Sequence, residues 1–137
     1  MKLRDRAYII HPYANNSEEN FKRVDKICRC VKRDYGDMIL PVSPIHFFSY
    51  FDKDEPKFRD DVMQFSTDCI ENMNIDKGLM FGISSGCMDE ANICLEHNVL
   101  LYIAKYYDEG DIIKSIKYES ADDKITKENY VDQKFYL

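Results

Sequence analysis

A strand-turn-helix segment carries the sharpest chemical signal in the chain. Residues 79–90 read Leu-Met-Phe-Gly-Ile-Ser-Ser-Gly-Cys-Met-Asp-Glu: an apolar run, a small-residue turn and a helix start with Glu90 one turn inside. That order sets a carboxylate beside backbone N–H groups at the carboxyl edge of a sheet, where open α/β folds bind ligands. Gly82 and Gly86 permit tight backbone, Ser84 and Ser85 supply hydroxyls and N–H donors, and a helix N-terminus favours an anion such as a phosphate. The plainer reading of the same residues is a helix capped by Ser85, with Asp89 and Glu90 complementing its dipole.

A second carboxylate, Asp68, falls late in the preceding helical segment, so it and Glu90 are placed to face each other across a cleft. Paired carboxylates let one act as nucleophile while the other shuttles a proton, the chemistry of retaining glycosidic-bond enzymes. The chain has 25 acidic residues, and a solvated helix face accounts for Asp68 as well. After the first apolar run, His11, Tyr13, Asn15 and Asn16 gather an imidazole, a phenol and two amides, suited to stacking on and hydrogen-bonding a base or sugar. They are also ordinary turn residues. His46, between Ile45 and Phe47, either lines the same cleft or belongs to the core rim. His11, His46 and His97 lack ligand-like spacing and no cysteines form a knuckle, so no metal is expected. Neither GxGxxG nor GxxxxGK[ST] occurs, which sets aside the usual dinucleotide and P-loop readings, and no cofactor is expected.

These groups need a scaffold, and the hydrophobic pattern supplies one. Ala7 to Ile10 reads as a strand ending at His11-Pro12. Phe21, Val24, Ile27, Cys28 and Val31 repeat at helical spacing, giving a helix from Glu18 to Arg33. Met38 to Leu40 is a brief strand that Pro41 ends, and residues 44–51 are aromatic and irregular. Asp54 to Asn72 predicts a long helix with Phe58, Val62, Phe65 and Cys69 inward. Lys77 to Phe81 forms the third strand, Gly86 to His97 a helix, and Val99 to Ala104 a fully apolar fourth strand. Ile112 to Tyr118 suits a fifth. Alternating strands and helices predict a single-domain, three-layer α/β sandwich, flavodoxin-like or Rossmann-like, around a mainly parallel sheet of four to five strands. Residues 1–104 make its core, and 105–137 are an extension packed on that core or at an oligomer interface.

The 137 residues suit one domain, and a net charge of −6 argues against a nucleic-acid partner, whose phosphates need a basic face. No apolar run approaches the ~18 residues of a membrane span, and the N-terminus lacks the apolar stretch of a signal peptide. Five cysteines form an odd set without a CxxC, the pattern of a reduced, cytoplasmic protein.

Taken together, the chain resembles the nucleoside 2-deoxyribosyltransferase-like superfamily, especially its small phage and bacterial branch of uncharacterised domains. The likeness spans Ala7 to Ala104 and rests on His11-Pro12-Tyr13, Asn20, the loosely matched Pro41, Pro44, His46 and Phe47, then Arg59, Asp76 and Phe81 to Glu90. The resemblance implies Glu90 as nucleophile on the anomeric carbon, Asp68 as its assistant, and Ser84 and Met88 at the ligand. Two departures stand out: Cys87 intervenes in the usual Gly-Met pair, and His11 replaces a small residue. The expected activity is cleavage or transfer of the N-glycosidic bond of a nucleoside or nucleoside 5′-monophosphate. The alternative is a module that binds such a nucleotide without turnover. Relatives often complete each pocket across a dimer interface, which implies a homodimer or higher assembly.

Overall fold

The computed structural model describes residues 4–14, 16–36, 38–48, 50–82, 84–109 and 112–120. The elements are β1 (Asp5–Ile10), α1 (Ser17–Tyr35), β2 (Ile39–Val42), α2 (Ile45–Phe48), α3 (Phe58–Asn72), β3 (Lys77–Met80), α4 (Ser85–Glu96), β4 (Leu100–Glu109) and β5 (Ile112–Ser120). They build one sheet in the order β2-β1-β3-β4-β5, parallel through β4 with β5 antiparallel at the edge. This is the expected α/β sandwich, with the 2-1-3-4 strand order of doubly wound folds.

β1 is the central element. Its side chains alternate between two cores, as a pleated strand covered on both faces requires. Ala7 and Ile9 pack with Val24, Ile27 and Val31 of α1 and with Ile45 and Phe48 of α2. Tyr8 and Ile10 pack on the opposite face with Cys69 and Ile70 of α3 and Ala91 and Cys94 of α4. All four β1 residues are fully buried, and each large apolar side chain so placed contributes about 1.5–3 kcal/mol.

Among the boundaries that differ from the sequence reading, three have an identifiable cause. Pro41 lies inside β2, in register with Ala7. β2 is the sheet edge, where a missing N–H is tolerated. α3 begins at Phe58 rather than Asp54, because Pro56 disfavours helical backbone at Glu55. Residues 52–57 instead form turns, with Glu55 N–H bonded to Asp52 C=O at 3.1 Å and Phe58 N–H to Glu55 C=O at 3.0 Å. β4 runs on to Glu109 and pairs with β5, so a division at residue 104 falls within a strand. Residues 121–137 of the extension lie outside the described residues.

Asparagines in left-handed backbone punctuate the helices: Asn16 (φ 59°) enters α1, and Asn74 (φ 53°) and Asn98 (φ 58°) follow α3 and α4. Asparagine visits this conformation more readily than other non-glycine residues, and at a helix exit it frees the chain to turn back toward the sheet. α3 and α4 thereby return the chain to β3 and β4.

Candidate functional site

A cavity of about 280 Å³ opens above the carboxyl ends of β1 and β3. In the 2-1-3-4 order this is where consecutive connections leave for opposite faces of the sheet, and ligands of open α/β folds bind at that point. The volume is near the low end of small-molecule sites, roughly 300–1,000 Å³. One wall is apolar: Phe48 from α2, Phe58, Val62 and Met63 from α3, and Tyr13 from the turn after β1. The Tyr13 ring meets Phe48 edge-on at 5.9 Å and tilts against Phe58 at 6.3 Å. The Asn20 amide holds this turn by donating to Tyr13 C=O at 3.2 Å.

The opposite wall is the start of α4, where Ser84, Ser85, Gly86, Cys87 and Glu90 line the cavity. Ser84, not Ser85, is the N-cap: its Oγ accepts from Cys87 N–H at 3.2 Å. The amides of a first helical turn have no intrahelical acceptor, so Ser85 and Gly86 sit where an anion is favoured. Arg59 of α3 lies at the same rim, donating to Ser85 Oγ at 3.3 Å and pairing with Asp89. Its side chain is 57% exposed. The pair is therefore weak enough for a ligand anion to compete with it.

Glu90 sits deep in this wall, 5% exposed, and accepts a hydrogen bond from the Tyr8 hydroxyl. Burial pushes its carboxyl up to about 8, although the Tyr8 bond and the nearby Asp89 charge act in opposite directions on it. Tyr8 is itself raised well above the usual phenol range by burial and by Glu90. The α4 helix runs unbroken past Cys87, so the thiol does not displace Glu90 from the cavity. Cys87 accepts from Ser84 Oγ at 3.2 Å, and burial pushes its thiol up to about 12, leaving it protonated and a poor nucleophile at neutral pH.

His11 faces the cavity from the end of β1 and is 3% exposed. Its Nδ1 donates to Pro12 C=O at 2.8 Å, and Nε2 is buried without a hydrogen-bond partner. Burial lowers the imidazole to about 4, so the ring is neutral at pH 7.

The structure thus brings His11, Tyr13, Ser84, Ser85, Gly86 and Glu90 to one cavity. Asp68 lies exposed on α3 and does not line it. Both carboxylates instead act on Cys69, whose thiol is raised by burial first and by Asp68 and Glu90 after it. His46 is at a separate corner, beside Ser43 and Asp25. Met88 packs into the core beneath α4, and Asn16 is exposed at the entry to α1. Asn15 lies outside the described residues. Tyr8 is the residue that spacing missed. A phenol in an apolar strand covered on both faces must find a buried partner, and that was its available signal. Among the described residues no cluster of three His, Cys, Asp or Glu side chains is arranged to hold a metal. Compared with known proteins, the chain matches no family model and no curated sequence.

Proposed function

We propose that this cavity binds a nucleoside or nucleoside 5′-monophosphate and that Glu90 opens its N-glycosidic bond. The observation that supports this most is a buried carboxyl, held by the Tyr8 hydroxyl, at the wall of an apolar cavity beside a helix N-terminus. In its ionised form Glu90 attacks C1′, the C1′–N bond breaks with its electrons passing to the base, and a glycosyl ester forms. A second base or water then takes the sugar and restores the carboxylate. Tyr13 and Phe58 supply ring faces for the base. Arg59, Ser84, Ser85 and the first-turn amides suit a 5′-phosphate. Asp68, outside the cavity, receives no ligand contact in this scheme.

A second reading, binding without turnover, has its own support. Glu90 is the one carboxylate among the described cavity residues, and at about 8 it is mostly protonated at pH 7. A panel of nucleosides, nucleoside monophosphates and NAD-derived nucleotides, followed by mass spectrometry, separates the two. An enzyme releases base or transfers sugar and loses this in Glu90→Gln while retaining ligand. A binder retains ligand in the wild type with no product.

We further propose a homo-oligomer in a reducing, cytoplasmic setting. All five cysteines are free. The β2 edge and α2 corner expose the apolar side chains Met38, Leu40, Phe47 and Tyr50, against which a second copy would pack. Light scattering on the purified protein tests this, and a strictly monomeric mass at micromolar concentration would contradict it.

A further inference from the structure

We infer that His11 Nε2 accepts a hydrogen bond from a neutral O–H or N–H group of the ligand, making His11 a specificity-determining residue of the cavity. The inference rests on the nucleoside reading and adds to it what the ligand must carry. A carbonyl only accepts, so the 2.8 Å contact of Nδ1 with Pro12 C=O places the ring hydrogen on Nδ1. The remaining nitrogen then presents a lone pair. That nitrogen is buried and has no hydrogen-bond partner, in a residue that is 97% buried and borders the cavity. A buried acceptor left unmatched is destabilising, and a ligand donor recovers that loss.

The surroundings narrow the donor. Burial disfavours positive charge at this ring most strongly, the Pro12 bond offsets part of that, and the Arg23 guanidinium adds a smaller disfavouring contribution. An ammonium is therefore a poor match, and a sugar hydroxyl or a base amino or imino group is a good one. The position favours the sugar side. His11 follows directly on Ile10, whose C=O binds Phe81 N–H at 2.8 Å, so its backbone adjoins the β3 end that leads to Glu90.

The test uses ¹⁵N-histidine-labelled full-length protein with adenosine, 2′-deoxyadenosine, 3′-deoxyadenosine and purine riboside, the last lacking the amino group. On saturation with adenosine the His11 Nε2 resonance moves toward the hydrogen-bonded range. One analogue, the one without the donor, fails to move it and binds about tenfold more weakly, and this names the donor. His11→Phe loses about tenfold for adenosine and nothing for that analogue, and His11→Gln, which keeps an acceptor, recovers part of the loss. Binding of the nucleosides with an unmoved resonance, or an equal loss for every ligand in His11→Phe, overturns the role of His11 and leaves the nucleoside site standing. If His11→Phe does not fold, the wild-type resonances decide. No binding by any of the four, nor by the nucleosides and nucleoside 5′-monophosphates of the other common bases, overturns the nucleoside reading and this inference with it.

Discussion

Two corners of the sheet each carry a histidine near a strand end, and they differ in how their polar groups are satisfied. At the β2 corner, His46 Nδ1 meets Ser43 Oγ at 2.5 Å and Nε2 faces Asp25 Oδ1 at 3.4 Å. Asp25 is tied in turn to Arg29 at 2.8 Å, and that bond, followed by His46, holds its carboxyl below the usual range. Both His46 and Asp25 are about one-third exposed, at 33% and 38%. At the β1–β3 corner, His11 and Glu90 are 3% and 5% exposed, and burial has pushed both toward their neutral forms. The first corner is a solvated network. The second holds a buried ring nitrogen, His11 Nε2, without a hydrogen-bond partner beside a buried carboxyl, a combination common at functional sites.

The largest effect that would break this contrast is at Tyr8. Tyr8→Phe removes the donor that favours the ionised Glu90, and a hydrogen bond to a charged group is worth about 1.5–3 kcal/mol. If Glu90 acts as nucleophile, turnover at pH 7 falls by about tenfold or more and the alkaline-rising limb of the rate profile moves up in pH. An unchanged profile would detach Tyr8 from the chemistry.

Next is the pH dependence of stability. Glu90 has its carboxyl raised from 4.5 to about 8, so the native state holds a proton the unfolded chain has lost, and stability falls as pH rises through that window. His11 is lowered from 6.5 to about 4, so the unfolded chain binds the extra proton and stability falls as pH drops through that range. The two slopes cancel between 4.5 and 6.5. Urea midpoints should therefore be flat there, decline toward pH 8 and decline below 4.5. In Glu90→Gln the alkaline decline shrinks to the part left by His97, which its bonds to Ile93 C=O and Glu71 raise above the usual imidazole range, and in His11→Phe the acidic one shrinks. The β2 corner contributes no comparable pair of buried groups.

Smaller still is Gly86→Ala. A Cβ there would meet only Ser84 Oγ at 3.9 Å, so the fold does not require glycine, yet the residue lines the cavity. The melting temperature should hold or rise, since alanine gains up to about 1 kcal/mol over glycine in a helix, while ligand affinity falls roughly tenfold if the bound sugar or phosphate approaches this backbone. Asp25→Asn gives the smallest effect. It costs less than about 1 kcal/mol and leaves ligand affinity unchanged, because the Arg29 pair it weakens is largely solvated and neither Asp25 nor His46 lines the cavity.

Most of the fold was legible because its signals are local. Helical spacing from Phe21 to Val31, the apolar runs of β1 and β4 and the strand-turn-helix at 79–90 each fix one element, and alternation fixes the parallel order. Pro41 was misread because its tolerance depends on β2 being an edge, a tertiary fact. The candidate site was legible at the two strand ends, as His11 and Tyr13 after β1 and Ser84, Ser85, Gly86 and Glu90 after β3. It was not legible where side chains come from within a strand or from a helix that the chain passes in between: Tyr8 lies beneath Glu90 from β1, and Phe58, Val62 and Met63 arrive from α3. His46 and Asp68 show the converse, chemically suitable types that the topology sends elsewhere.

The most direct measurement is trapping of the glycosyl ester with a 2′-fluoro-2′-deoxyarabinonucleoside, whose electron-poor sugar slows release, followed by intact-mass and peptide mass spectrometry. A nucleophilic Glu90 gives a mass increase of one fluorinated sugar on the peptide containing Glu90, growing faster from pH 6 to 8 and absent in Glu90→Gln. Saturating ligand retained by the wild type with no adduct and no released base would contradict glycosyl transfer and leave a binding protein.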